Sequence, residues 1–222
     1  MSINDELYDA IVFGERDKVV EIVQLSVDAG DNVVELLNTT MIPALREVGD
    51  QFSRGEVFVP EMLVSARAMQ AGVDIIEPLL VSSGHEPIAR VCIGSVKGDL
   101  HDIGKNLVVT MLRGVGFEVR DLGVSVARER FCEEVEAYQP DVLGLSALLT
   151  TTMVEMGEVI KALETRALRG RCRVIVGGAP VSEQFAAKIG ADGYAANAVE
   201  AVRLAKRLVS EGVTARREGR AR

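Results

Sequence analysis

Between residues 90 and 211 the chain repeats one pattern five times: a short run rich in β-branched residues, then an amphipathic stretch at helical spacing. The runs are RVCIGSV, EVRDLG, DVLGLSAL, RVIVGG and DGYAA, and the helical stretches fall at 103–115, 127–138, 152–168, 182–189 and 198–211. Five strand–helix units in series call for a parallel sheet, and right-handed crossovers lay its helices on both faces. The expected domain is a flavodoxin-like (βα)5 doubly wound sheet over 85–213. In such sheets ligands settle outside the carboxyl ends of the strands, where strand order reverses.

The residues before it read differently. From Asp5 to Leu80, stretches such as VVEIVQLSV, VVELLNTTMIPAL and MLVSARAMQAGVDIIEPLL keep apolar residues at helical spacing, with no strand alternation. The expectation for 1–84 is a four-helix bundle, giving an α + α/β protein. Its breaks fall at Gly14, at AGDN (29–32) and at SRGEVFVPE (53–61), where Pro60 suits the first turn of the last helix. Pro43 inside a helical pattern is expected to kink or divide that helix. The segment SSGHEP, 82–87, is the expected linker, with His85 exposed in it. TARREGRAR, 214–222, reads as a charged, disordered tail.

Composition narrows the function. With 48% hydrophobic residues in 222, the chain can fill real cores. A formal net charge of -8 disfavours nucleic acid, whose binding draws on clustered Lys and Arg, and the lack of Trp removes one stacking residue. The start MSINDELYDAIVFGERDK has no basic region followed by an apolar one, and no later run is long enough for a bilayer. A cytoplasmic protein without a membrane partner is expected. Cys92, Cys132 and Cys172 lie far apart with no CxxC pair, which suits buried thiols rather than a disulfide frame or zinc site.

Three strand ends carry the chemistry. GDLHDIG follows the first strand, SALLTTT ends the third and GGAP ends the fourth, so all three belong to one rim. Asp99 is placed to accept a hydrogen bond from one imidazole nitrogen of His101, which fixes the tautomer and makes the other nitrogen a better metal donor. Gly104 leaves room for a bulky group near the backbone. Ser146 and the hydroxyls at 150–152 reach the same rim, and Gly177 and Gly178 remove side chains there. Taken singly, each has a plainer explanation: a loop histidine, a tight turn at the glycine pair, a helix-start acid for Asp102 and a solvated lysine for Lys105.

Together, DxHxxG (Asp99, His101, Gly104), SxL (Ser146, Leu148) and GG (Gly177, Gly178) resemble the signature of cobalamin-binding domains in order and spacing. His101 precedes Ser146 by 45 residues and Leu148 precedes Gly177 by 29. The helical half, with GEVFVPEMLVSARAM (55–69), is similar to the cap domain of corrinoid-dependent methyltransferases. The resemblance is to the stand-alone corrinoid proteins of methylamine, methanol or methoxyaromatic systems.

That resemblance implies a corrinoid bound with its own base displaced and His101 as the lower axial ligand of cobalt, the one metal ligand from the chain. Asp99 would hold the far nitrogen of His101 and Thr152, where methionine synthase relatives have serine, would hold Asp99. The implied cofactor contacts are Gly98, Asp99, His101, Asp102, Ile103 and Gly104, then Ser146, Leu148, Thr150 and Thr152, then Gly177 and Gly178. On the bundle, Phe58, Val59 and Met62 would shield the upper ligand, although apolar residues at this spacing are more often core. The implied role is a methyl carrier rather than a complete enzyme, with a donor-specific methyltransferase, an acceptor methyltransferase and a reductive activase as partners. Competing readings are a cobalamin-dependent regulator or light sensor, the small subunit of a mutase, and a hydrolase with a divalent metal on Asp99, His101 and Asp102.

Overall fold

The computed structural model describes residues 3–82 and 86–220. His85 and the centre of the expected linker lie outside these residues. The chain divides into two compact units, Met1–Ile88 with Thr110–Gly116, and Ala89–Val109 with Phe117–Arg222.

The first unit is built of helices: α1 (Ile3–Val12), α2 (Arg16–Ala29), α3 (Val33–Leu36), α4 (Ile42–Arg54) and α5 (Val59–Ser82). α3 runs without a break into α4 through a π-helical turn, Leu37–Met41, so the unit reads as four rods. The turn answers Pro43. Proline has no N–H for the carbonyl one turn back, and its ring crowds that carbonyl. The helix widens just before it, with the Ile42 N–H bonded to the Leu37 carbonyl, and is not divided. Asn32 starts α3, its side chain accepting from the N–H groups of Val34 and Glu35 at 3.1 and 3.2 Å. Gly30 and Gly55 end α2 and α4 in the left-handed conformation. Leu7, Ile11, Met41, Leu45, Met62 and Met69 fill the interior.

The second unit carries β1 (Arg90–Ser95), β2 (Glu118–Asp121), β3 (Val142–Ser146), β4 (Arg173–Gly177) and β5 (Gly193–Ala195), all parallel, in the order β2-β1-β3-β4-β5. Between and after them lie α6 (Ile103–Gly114), α7 (Arg128–Ala137), α8 (Val154–Thr165), α9 (Glu183–Ile189) and α10 (Ala198–Arg220). This is the flavodoxin-like order. Its reversal point lies between β1 and β3, since β1 connects to one side and β2 returns the chain to the other. Phe131 of α7, Met156 and Ile160 of α8 and Ala186 of α9 share one apolar cluster with Cys92, Leu143, Val174 and Val176 of the sheet.

The register places the candidate residues. Ser95 pairs with Ser146, Ser146 with Gly177, and Gly177 with Ala195, so these four form one row across the sheet. The loops after β1, β3 and β4 leave from that row. The helix α10 takes in residues 214–220 of the segment expected as a tail.

All three cysteines are free and buried. Burial pushes the Cys92 thiol up to about 12 and the Cys172 thiol to about 11, away from any role as nucleophiles. Among the described residues, no helix is long and apolar enough to cross a membrane.

Candidate functional site

Asp99 is the centre of the rim. It follows a tight turn in which its N–H donates to the Val96 carbonyl at 3.0 Å, and it has no exposed surface. A buried carboxylate is costly unless its oxygens are satisfied, and here both are. Oδ1 accepts from the His101 N–H at 3.0 Å and from His101 Nδ1 at 2.8 Å. Oδ2 accepts from the Leu148 N–H at 2.7 Å and from the Thr152 hydroxyl at 2.6 Å. Burial alone would raise this carboxyl, but the bonds from Thr152, Leu148 and His101 outweigh it and hold it well below the usual carboxylate range. Asp99 therefore stays charged, and loops after β1 and β3 meet on it across the reversal point.

The consequence for His101 is chemical. With Nδ1 bonded to a charged carboxylate, that nitrogen carries the proton and Nε2 keeps its lone pair. Nε2 has no hydrogen-bond partner among the described residues, and the side chain is half exposed. Its main chain is anchored as well: the hydroxyl of Ser95, a fully buried residue in the last position of β1, donates to the His101 carbonyl at 2.7 Å. This combination suits a ligand to a soft or borderline metal whose remaining donors come from elsewhere.

The surroundings suit a large, partly apolar group. Leu100, Ile103, Leu148, Leu149 and Val154 belong to the segments bearing these residues and are all substantially exposed. Gly104, in the first turn of α6, has open space where a Cβ would project. The fold does not require glycine there. At Gly178 it does: a Cβ would lie 1.8 Å from the Ala147 carbonyl oxygen, and φ is +129°. At Gly177 a Cβ would lie 3.0 Å from the Ala195 carbonyl oxygen. Gly178 is thus demanded by its backbone packing against Ala147, whereas a Cβ at Gly177 would make a tight contact that requires only a small adjustment.

The other predicted residues are spread about this centre. Gly98, in a left-handed conformation, donates its N–H to the Ser125 hydroxyl at 3.1 Å. Asp102 stands just before α6, its carbonyl accepting from the Asn106 N–H at 2.7 Å, as a helix-start residue does. Ser146 is half buried on the rim and Thr150 is exposed. On the helical unit, Phe58 and Val59 are exposed, whereas Met62 is buried in the interior. Lys105 is a correction. Instead of a solvated lysine it is a buried one, its ammonium donating to both carboxylate oxygens of Asp121 at 2.6 and 2.7 Å and to the Asn106 side chain at 2.8 Å.

Sequence reasoning also missed Ser95, the main-chain N–H of Leu148 and Ser125. A hydroxyl at the inward end of an otherwise apolar strand was the one available signal for Ser95. The hydrolase alternative loses its ligands: among the described residues, no group of three or more His, Cys, Asp or Glu side chains is arranged to hold a metal ion.

Comparison with known proteins gives the family. Residues 89–203 match a family model described as a B12 binding domain, and residues 3–77 match a second model of the same description. A corrinoid protein from Desulfitobacterium hafniense (strain Y51) is 38% identical over 214 residues, covering 95% of this chain and 99% of its own. Dimethylamine corrinoid protein 2 from Methanosarcina acetivorans is 41% identical over 205 residues, covering 92% and 94%. Among solved structures, the methanol:cobalamin methyltransferase complex from Methanosarcina barkeri superposes with a TM-score of 0.81 at 30% identity, over 94% of this chain and 80% of that one. With matches running through both halves, the chain belongs to the family of corrinoid proteins of methyltransferase systems, and its cofactor is cobalamin or a related corrinoid.

Proposed function

We propose that the protein is the methyl carrier of such a system, a cytoplasmic subunit that is loaded by a donor-specific methyltransferase and unloaded by a second methyltransferase, with a reductive activase restoring it. The observation that carries this reading is the bonding of His101: Nδ1 is committed to a buried, charged Asp99 and Nε2 is left with its lone pair. In the proposal His101 is the lower axial ligand and the corrinoid's own base is displaced. The corrinoid, when bound, supplies a cobalt that can accept and release a methyl group.

The chain's residues do the rest. Asp99 fixes the tautomer of His101 and offers a charge beside the imidazole whenever that ring carries a second proton. Thr152 and the Leu148 N–H keep Asp99 ionised and aimed. Ser146, Thr150, Gly177 and Gly178 are proposed to border the displaced base, and the apolar fringe of Leu100, Ile103, Leu148 and Leu149 to exclude water around the macrocycle.

The test is the optical spectrum of the full chain reconstituted with cobalamin. Wild type is expected to show the histidine-ligated form with the cofactor's own base off. His101→Ala is expected to lose that form while the apoprotein loses about 1.5–3 kcal/mol of stability, the usual worth of one hydrogen bond to a charged group. A His101→Ala spectrum identical to wild type would remove His101 from the metal.

A further inference from the structure

Lys105, early in α6, and Ser125, in the loop after β2, each occupy a position that costs free energy. Lys105 is the third residue of α6, and a cation in the first helical turn faces the positive end of the helix dipole. It is also buried, with its side chain 1% exposed, which disfavours an ammonium unless it is fully paired. Its partner is Asp121, the last residue of β2, whose Oδ1 also accepts from the Gly123 N–H at 2.9 Å. Four residues on, Ser125 sits at φ +51°, a left-handed conformation that a non-glycine residue adopts at a cost.

Both features act on the loop that bears His101. Lys105–Asp121 ties the start of α6, directly after that loop, to the end of β2. Ser125 binds the other end twice: its N–H donates to the Asp99 carbonyl at 2.8 Å, and its hydroxyl accepts from the Gly98 N–H at 3.1 Å. The strand ends are stitched between these points, with the Ser95 N–H bonded to the Gly123 carbonyl at 3.0 Å and the Val126 N–H to the Ser95 carbonyl at 2.9 Å. Asp99 is thus held by its side chain from the β3 side and by its main chain from the β2 side.

We infer that the segment Asp121–Ser125 is a positioning clamp for the Asp99–His101 pair, with Lys105 and Ser125 as its two fasteners. It sets the turn so that Asp99 Oδ1 meets Nδ1 of His101 and Nε2 is the nitrogen left with a lone pair. The inference rests on the proposed role of His101 for its purpose, but the geometry it describes belongs to the apoprotein. A merely structural role would move stability and leave the imidazole tautomer alone.

The experiment is long-range proton–nitrogen correlation NMR of the apoprotein, full chain, at about pH 9, where an imidazole is neutral. Only two histidines are present, so His101→Gln assigns the signals. Wild type is expected to show His101 with the proton on Nδ1. Ser125→Ala and Lys105→Met are each expected to lower that tautomer's share at least about twofold, as the pair opens and the ring returns to its solution preference. Ser125→Asn keeps a side-chain acceptor and tolerates the left-handed conformation, so it is expected to retain the wild-type share. Arg169→Met breaks an ion pair with Asp192 of 2.7 Å remote in sequence from the clamp, and is expected to lower the melting temperature without moving the tautomer. Wild-type tautomer shares in Ser125→Ala and Lys105→Met would overturn the inference, as would loss in Arg169→Met equal to theirs. Should Lys105→Met fail to fold, the exposed Ser125 decides alone. Because no cobalamin is present, a wild-type holoprotein lacking histidine ligation would defeat the carrier reading and leave this result standing.

Discussion

Asp99→Asn is expected to cost the sheet domain about 3–5 kcal/mol, the range for leaving buried, charge-assisted hydrogen bonds unmade. Four donors converge on this side chain, two on each oxygen. An asparagine offers one oxygen and one NH2 group. Thr152 and the His101 ring can reverse their roles, but whichever way the amide turns, a main-chain N–H that can only donate, that of His101 or that of Leu148, faces another donor. Urea denaturation of the apoprotein measures the loss.

The pH dependence carries the same information. The folded carboxyl is held below its ordinary value of 3.8, so on acidification the unfolded state takes up the proton first. The stability that Asp99 contributes is full above that ordinary value and is lost as pH falls through the folded one. Asp99→Asn should therefore be less stable at neutral pH and should lack this part of the acid-induced decline. A variant within about 1 kcal/mol of wild type at pH 7, with an unchanged acid limb, would contradict the described bonding.

The second large effect separates two glycines of the motif. Gly178→Ala is expected to lose more than about 3 kcal/mol, because the added Cβ meets backbone that cannot rotate away and the residue occupies a conformation costly for any L side chain. The nearest atoms are the Ala147 carbonyl oxygen at 1.8 Å and carbon at 2.8 Å. Gly104→Ala is the counterpart. Its Cβ meets nothing within 4 Å, and alanine suits a helix better than glycine by up to about 1 kcal/mol, so the apoprotein should be as stable or slightly more so. Its cost is expected in cobalamin affinity instead. Thermal melts of both apoproteins with a cobalamin titration of Gly104→Ala check this. A stable Gly178→Ala, or a Gly104→Ala with wild-type affinity, would reverse the assignment of one glycine to packing and the other to ligand space.

Much of this architecture was readable in the sequence because its signals are periodic or punctuated. The fivefold strand–helix alternation determined the sheet and its order, and Gly14, Gly30 and Gly55 marked the helix breaks where the chain turns left-handed. Asp99 and His101 were legible as a pair because they share a turn, and Thr152 joined them only through the resemblance to cobalamin-binding domains. What was not legible depends on the third dimension. The Leu148 N–H binds Asp99 through the main chain, which no side-chain identity reports. Lys105 looks like any lysine on a helix until β2 brings Asp121 beside it. Pro43 signalled trouble correctly but not its form, because a widened turn and a break relieve the same clash.

The central claim is that an imidazole nitrogen of His101 is bound to cobalt. Its most direct measurement is the electron paramagnetic resonance spectrum of the Co(II) form of cobalamin in the His85→Gln protein, where His101 is the sole histidine. Each cobalt line should be split into a triplet with natural-abundance histidine and into a doublet when histidine alone is labelled with nitrogen-15. A triplet that persists with labelled histidine would mean that the cofactor's own base holds the metal, and the absence of splitting would mean that no nitrogen does; either contradicts the assignment.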